Sequence, residues 1–411
     1  MDLNKKRWLI LIASCLINLC IGSLYAWSVF ASPMASYLSA LTGNEISSLA
    51  IVFTLANAVG PITMIGGGLL IKKIGSKRVI ICGGLLFGMG MIATGFVTSE
   101  AMLLITYGLG VGLGVGLGVG MVYGCTISNT IKFFPDKKGL IGGIATASYG
   151  ISSVIIPILA NWLMNFMDVT SCFKTVGTVM LLIICISSMV IQDCPPDYLP
   201  NGYQGNQSQA GKSVNYTWQQ MLHTPVFYVM LCMLCVGAFS GLMIISLASP
   251  LARRIIEISA AEAAAVVSMI ALFNTAGRVI CGYLSDRFGI LSTIRMVFTG
   301  SILGLILLYF SSPDTAFMFY LGVSIVGFMF GSIMGIYPGF TASQFGSANN
   351  GVNYGIMFIG FAAAGYFGPT IMSALYNLTG QDTPAILVAA ALNILGLLLS
   401  GIYKKLNQQH A

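Results

Sequence analysis

Long apolar runs alternate with short polar ones along almost the whole chain. A helical run of about 20 apolar residues matches a bilayer core about 30 Å thick. Twelve such runs are predicted, over 8–31, 47–71, 79–98, 101–125, 140–165, 173–192, 226–249, 261–285, 292–311, 316–340, 353–376 and 384–403. The one long polar stretch, Gln192 to Gln220, falls between the sixth and the seventh and is rich in Asn, Gln, Gly and Pro. It divides the chain into a six-helix bundle over 1–191, a linker loop over 192–220 and a second six-helix bundle over 221–411.

Composition agrees with that pattern. Of 411 residues 56% are hydrophobic and only 8% charged, with a mean hydropathy of +0.89. A soluble domain carries about 25% charged residues, so the expectation is an all-α membrane protein. The net charge of +7 does not point to nucleic acid, because lysines and arginines sit in short clusters between apolar runs. Those clusters set orientation. Of the 19 basic residues, Arg278 and Arg295 lie within or at the edge of spans. With both termini cytoplasmic, only Lys174, Arg253 and Arg254 fall on the far side, and the other fourteen are cytoplasmic. Lys5, Lys6 and Arg7 precede the run from Trp8 to Phe30, which reads as a first span in the cell (inner) membrane rather than a cleaved signal. The ten cysteines are scattered, and Cys232 and Cys235 sit mid-span without a histidine nearby, so no metal or other cofactor is expected.

The two halves repeat. Gly68-Leu-Leu-Ile-Lys-Lys-Ile-Gly75 follows the second run and Gly282-Tyr-Leu-Ser-Asp-Arg-Phe-Gly289 the eighth, and the same offset carries Tyr123 onto Tyr337. Repeated halves around a central site are the plan of a rocking carrier. The glycines at 108, 112, 116 and 120 make a small-residue stripe suited to close helix packing.

Arg278 is the residue with the most chemistry. It interrupts the run from Ala263 to Leu284, where a charge costs roughly 2.5–3.5 kcal/mol on insertion scales, and no carboxylate lies in that run to neutralise it. A bound anion is the simplest compensation. Asn274 stands four residues earlier, on the same helix face, and an arginine fork can hold a carboxylate by two charge-assisted hydrogen bonds. No nucleophile–base pair or metal cluster suggests an enzyme.

The element at Gly282 to Gly289 resembles the signature loop of the major facilitator superfamily, although its first-half copy has Lys72 where Asp is usual. Tyr25-Ala-Trp-Ser28, Lys132-Phe-Phe-Pro-Asp-Lys-Lys-Gly139, Leu222-His-Thr-Pro225 and Asn353-Tyr-Gly355 resemble the oxalate:formate antiporter family, whose substrates are small carboxylates. The resemblance implies twelve helices in two pseudo-symmetric six-helix bundles. It also implies a cavity lined from spans one, four, five and ten, where Tyr25, Tyr123, Tyr149 and Tyr337 fall. Oxalate-carrying members place an arginine on span eight and a lysine on span eleven. Arg278 matches the arginine, and Phe361 stands at the lysine position. One cation suits one carboxylate, so the expectation is a monomeric secondary active transporter of a small monocarboxylate such as L-lactate or pyruvate. A proton is the expected co-substrate. Carboxylate exchange and a non-transporting carboxylate sensor are the alternatives.

Overall fold

A computed structural model describes residues 3–46, 49, 51–52, 56, 59–108, 115–195, 198–201 and 215–409. Among them the secondary structure is helical throughout, and ten helices are long and apolar enough to cross a membrane. The remaining two predicted runs, 47–71 and 101–125, include residues outside the described set. Contacts group the chain into two compact units, one formed by 1–136, 148–213 and 349–355, the other by 137–147, 214–348 and 356–411.

The first unit begins with α1 (Leu3–Ile21), a 3-10 turn at Gly22–Ala26 and α2 (Trp27–Thr42). The sequence expectation was a single run over 8–31, and the structure corrects it in two ways: the helix is pinched at residue 22 and continues eleven residues past 31. Gly22 sits so close to Ser152 that an added Cβ would stand 2.8 Å from the serine Cβ. Gly43, at φ 72°, then ends α2 in the left-handed conformation that glycine adopts without steric cost. The unit continues with α3 (Gly60–Ile74), α4 (Ser76–Thr94), α5 (Val115–Lys132), most of α6 (Lys138–Met164) and α7 (Val169–Val190). In the glycine stripe, Gly116 lies against the Ala56 carbonyl and Gly120 against Thr63 and the Gly60 carbonyl, so these two let backbones pack. Gly112 lies outside the described residues. Asp193, just after α7, accepts from the Ser76 backbone N–H at 2.8 Å and so satisfies an open donor at the start of α4.

The second unit holds α8 (Pro225–Ser246), the short α9 (Ala248–Ile255), α10 (Ala260–Phe288), α11 (Ile290–Tyr309) and α12 (Ala316–Phe345). After α13 (Asn350–Met357), which belongs mostly to the first unit, come α14 (Ile359–Thr379) and α15 (Thr383–Gln409). Where the sequence suggested only a loop, α9 carries Arg254, which binds Asp382 at the start of α15 through Nε at 2.9 Å and Nη2 at 2.6 Å. Its guanidinium also lies 4.1 Å from the Tyr376 ring centroid. Hydrogen bonds to Asp382 push the Arg254 pKa up. In the signature loop, Asp286 accepts from the backbone N–H groups of Gly139 and Leu140, both at 2.8 Å, at the N-terminus of α6. A carboxylate there satisfies two open donors and meets the positive end of the helix dipole.

Candidate functional site

Arg278 sits near the middle of α10 and is 6% exposed, as is Asn274 one turn earlier. Glycines bring the neighbouring helices up to them. On α12 the residues Gly327, Gly331, Gly335 and Gly339 recur every four positions, and the first three face Ile270, Asn274 and Arg278 on α10, also spaced by four. Gly331 meets the Asn274 carbonyl, and a Cβ on Gly335 would come within 2.8 Å of the Arg278 Cα. From the other side, Gly143 on the first turns of α6 lies against the Arg278 carbonyl. Small residues at such crossings allow close approach of backbones where water offers no hydrophobic drive. The four-residue glycine period on α12 was available in the sequence as the signal for this contact. The sequence reading recognised such a stripe only around Gly108–Gly120.

The guanidinium is held from two directions. Nε donates to Asn274 Oδ1 at 2.9 Å, and Nη1 donates to the Thr146 backbone carbonyl at 2.8 Å. Nη2 makes no hydrogen bond among the described residues, and neither does Asn274 Nδ2. No carboxylate comes within 4 Å of Arg278 among those residues. Two neutral acceptors orient the cation but leave its charge unneutralised, and hydrogen bonds to charged groups contribute about 1.5–3 kcal/mol each. Such an arrangement can bind an anion through the remaining fork donors. Asn274 Oδ1 fixes the arginine, and its Nδ2 remains as a donor.

The tyrosines fall in different surroundings. In the first unit, Tyr123 and Tyr149 are buried as a tilted pair, with ring centroids 4.8 Å apart. In the second, Tyr337 is fully buried and its hydroxyl donates to the Met230 carbonyl at 2.8 Å. The backbone of Tyr25 is part of the 3-10 turn, and its side chain lies outside the described residues. Phe361 is half-buried within an aromatic row, its centroid 6.4 Å from Phe330 and 4.5 Å from Phe358. Among the described residues no group of three or more His, Cys, Asp or Glu could hold a metal ion.

A family model described as the Major Facilitator Superfamily matches residues 12–369. The chain is similar to YhjX of Escherichia coli (strain K12), an uncharacterized MFS-type transporter, at 29% identity over 358 residues, covering 87% of this chain and 85% of that protein. It is similar to the oxalate:formate antiporter of Oxalobacter formigenes at 28% identity over 388 residues, covering 93% and 88%. A crystal structure of the MFS transporter FucP in the outward conformation superposes with a TM-score of 0.69 over 96% of this chain and 99% of that one. At 15% identity that match establishes the fold alone. With apolar helices throughout and a family match over most of its length, the chain belongs to the Major Facilitator Superfamily and is a multi-pass membrane transporter, not an enzyme.

Proposed function

We propose that this chain is a secondary active transporter of a small monocarboxylate, L-lactate, pyruvate or a close relative, with the carboxylate bound by Arg278. The observation that carries the reading is a buried guanidinium, oriented by Asn274 and Thr146, with free donors and no carboxylate in ion-pair reach among the described residues. At about 4 Å and an effective dielectric near 20, a bound carboxylate gains on the order of 4 kcal/mol before desolvation. Asn274 Nδ2 is assigned to a hydroxyl or keto oxygen beside that carboxylate. The aromatic row through Phe361, where oxalate-carrying members of the resembled family have lysine, supports one carboxylate over two. Tyr25, Tyr123, Tyr149 and Tyr337 are assigned supporting roles, to be tested singly by phenylalanine at the first three and by leucine at Tyr337. Because the Tyr337 hydroxyl already serves Met230, its ring is the part left for such a role.

In this reading, the halves 1–191 and 221–411 alternate access around the site, joined by the linker 192–220, and one chain is sufficient. The distribution of basic residues supports an inner-membrane location with both termini cytoplasmic. A proton crosses with the anion, so the transported pair is neutral overall. Exchange is the second reading. It is favoured by the similarity to the Oxalobacter oxalate:formate antiporter and by the cost of moving an empty site whose arginine has lost its anion.

The test is uptake of labelled L-lactate into proteoliposomes, once under an inward proton gradient and once into vesicles preloaded with unlabelled lactate. Pyruvate, formate and oxalate serve as competitors. Gradient-driven uptake that monocarboxylates block, and that Arg278→Ala abolishes, is the expected result. Uptake only into preloaded vesicles would establish the exchanger. Oxalate as the sole competitor, or undiminished uptake in Arg278→Ala, would overturn the assignment.

A further inference from the structure

Arg295 is a second cation within an apolar helix, and the transport reading makes no use of it. It lies five residues into α11, about 7.5 Å along the axis from the helix start. Its Nε donates to Ser400 Oγ on α15 at 2.9 Å, and Nη2 reaches the Ser400 carbonyl at 3.5 Å. Nη1 has no hydrogen-bond partner, and no carboxylate lies within 4 Å, among the described residues. One turn nearer the helix ends, Leu291 on α11 and Lys404 on α15 line a cavity of about 310 Å³, which α12 completes with Gln344. Within it the Tyr403 hydroxyl donates to Gln344 Oε1 at 2.6 Å, and Gln344 Nε2 donates to Asn407 Oδ1 at 3.2 Å. This chain of bonds holds the Asn407 amide in place with its Nδ2 hydrogens still to donate. No acidic residue lines the cavity. Beside it on α11 and α15, Met296, Leu398 and Ile402 are exposed on the apolar surface.

We propose that this end of the second unit binds the phosphodiester of an anionic phospholipid between Arg295 and Lys404, with the acyl chains lying along Met296, Leu398 and Ile402. The shared chemistry is a phosphate met by Lys404 and the Asn407 amide in the cavity, with Arg295 one turn deeper on Ser400. The exposed apolar surface next to the cations, at the depth where a span meets the headgroup layer, favours the lipid over free phosphate. Basic pockets between transmembrane helices are suited to anionic headgroups, and an arginine one turn inside a span reaches that layer by extending its side chain. The site is separate from Arg278 and stands whichever substrate is carried.

The test uses the full-length protein in neutral detergent. Thermal unfolding is followed on addition of phosphatidylglycerol, phosphatidylcholine or inorganic phosphate. Phosphatidylglycerol is expected to raise the midpoint by several degrees, and the other two to leave it nearly unchanged. Arg295→Gln with Lys404→Gln should remove more than half of the shift, whereas Arg253→Gln, on α9, should keep it. A shift that survives in the double variant overturns the site. An equal shift with phosphatidylcholine overturns the role of charge, and one with inorganic phosphate overturns the lipid. Should the double variant fail to fold, Lys404→Gln alone, at an exposed position, is read by native mass spectrometry. Reduced retention of phosphatidylglycerol supports the site, and retention equal to wild type overturns it.

Discussion

Phe361 stands between Phe330 and Phe358 in the register where a lysine would give the second unit another cation. If cation number sets substrate charge, Phe361→Lys should strengthen oxalate as a competitor of lactate uptake by about tenfold, equivalent to ~1.4 kcal/mol. Competition curves on the variant measure this, and an unchanged oxalate curve would remove Phe361 from the account of specificity. Asn274 offers a complementary test. Because its Oδ1 already accepts from Arg278 Nε, Asn274→Asp would place a fixed carboxylate on the guanidinium with almost no change in shape. Substrate must then compete with an internal anion, and lactate uptake should fall at least about tenfold while the protein remains folded. Wild-type uptake in this variant would mean that the free charge on Arg278 is not what the substrate meets.

Among the elements, α10 and α12 show how a polar site is set inside apolar helices. The glycines of α12 and the residues 270, 274 and 278 of α10 share a four-residue period, so one ridge lies against another with almost no side-chain volume between them. Gly331→Ala would drive a methyl group into the Asn274 carbonyl and should destabilise the protein by about 1–3 kcal/mol. Gly401 on α15 has nothing within 4 Å of the position a Cβ would take. Gly401→Ala should therefore be neutral or gain about 0.5–1 kcal/mol from helix propensity. Unfolding midpoints of the two variants in one detergent provide the comparison, and equal midpoints would show that the close contact at Gly331 does not limit stability.

For the molecule as a whole, the proposed anion site at Arg278 has a consequence for turnover. If substrate neutralises Arg278 as proposed, a loaded site should reorient more readily than an empty one, since a buried charge without its partner is costly. Efflux of labelled lactate from proteoliposomes without a proton gradient should therefore speed up several-fold when unlabelled lactate or pyruvate is present outside. Efflux indifferent to external substrate would show that the return of the empty carrier does not limit the cycle.

The sequence by itself determined the membrane class, most span positions, the superfamily signature and the pairing of Asn274 with Arg278 on one helix face. Each of these is a local property: an apolar run of bilayer length, a short motif, or a helical spacing of four. Only the tertiary structure decided that the Thr146 carbonyl, 132 residues away, takes the second guanidinium donor. It likewise decided that Met230 takes the Tyr337 hydroxyl, that Arg254 binds Asp382, and that Ser400 holds Arg295. These partners come from other helices, and the period of one helix carries no record of which neighbour packs against it. The break at Gly22 and the extension of α2 to Thr42 escaped for the same reason. Hydropathy reports where apolar surface is needed, whereas backbone approach to Tyr149 and Ser152 is settled only when the helices meet.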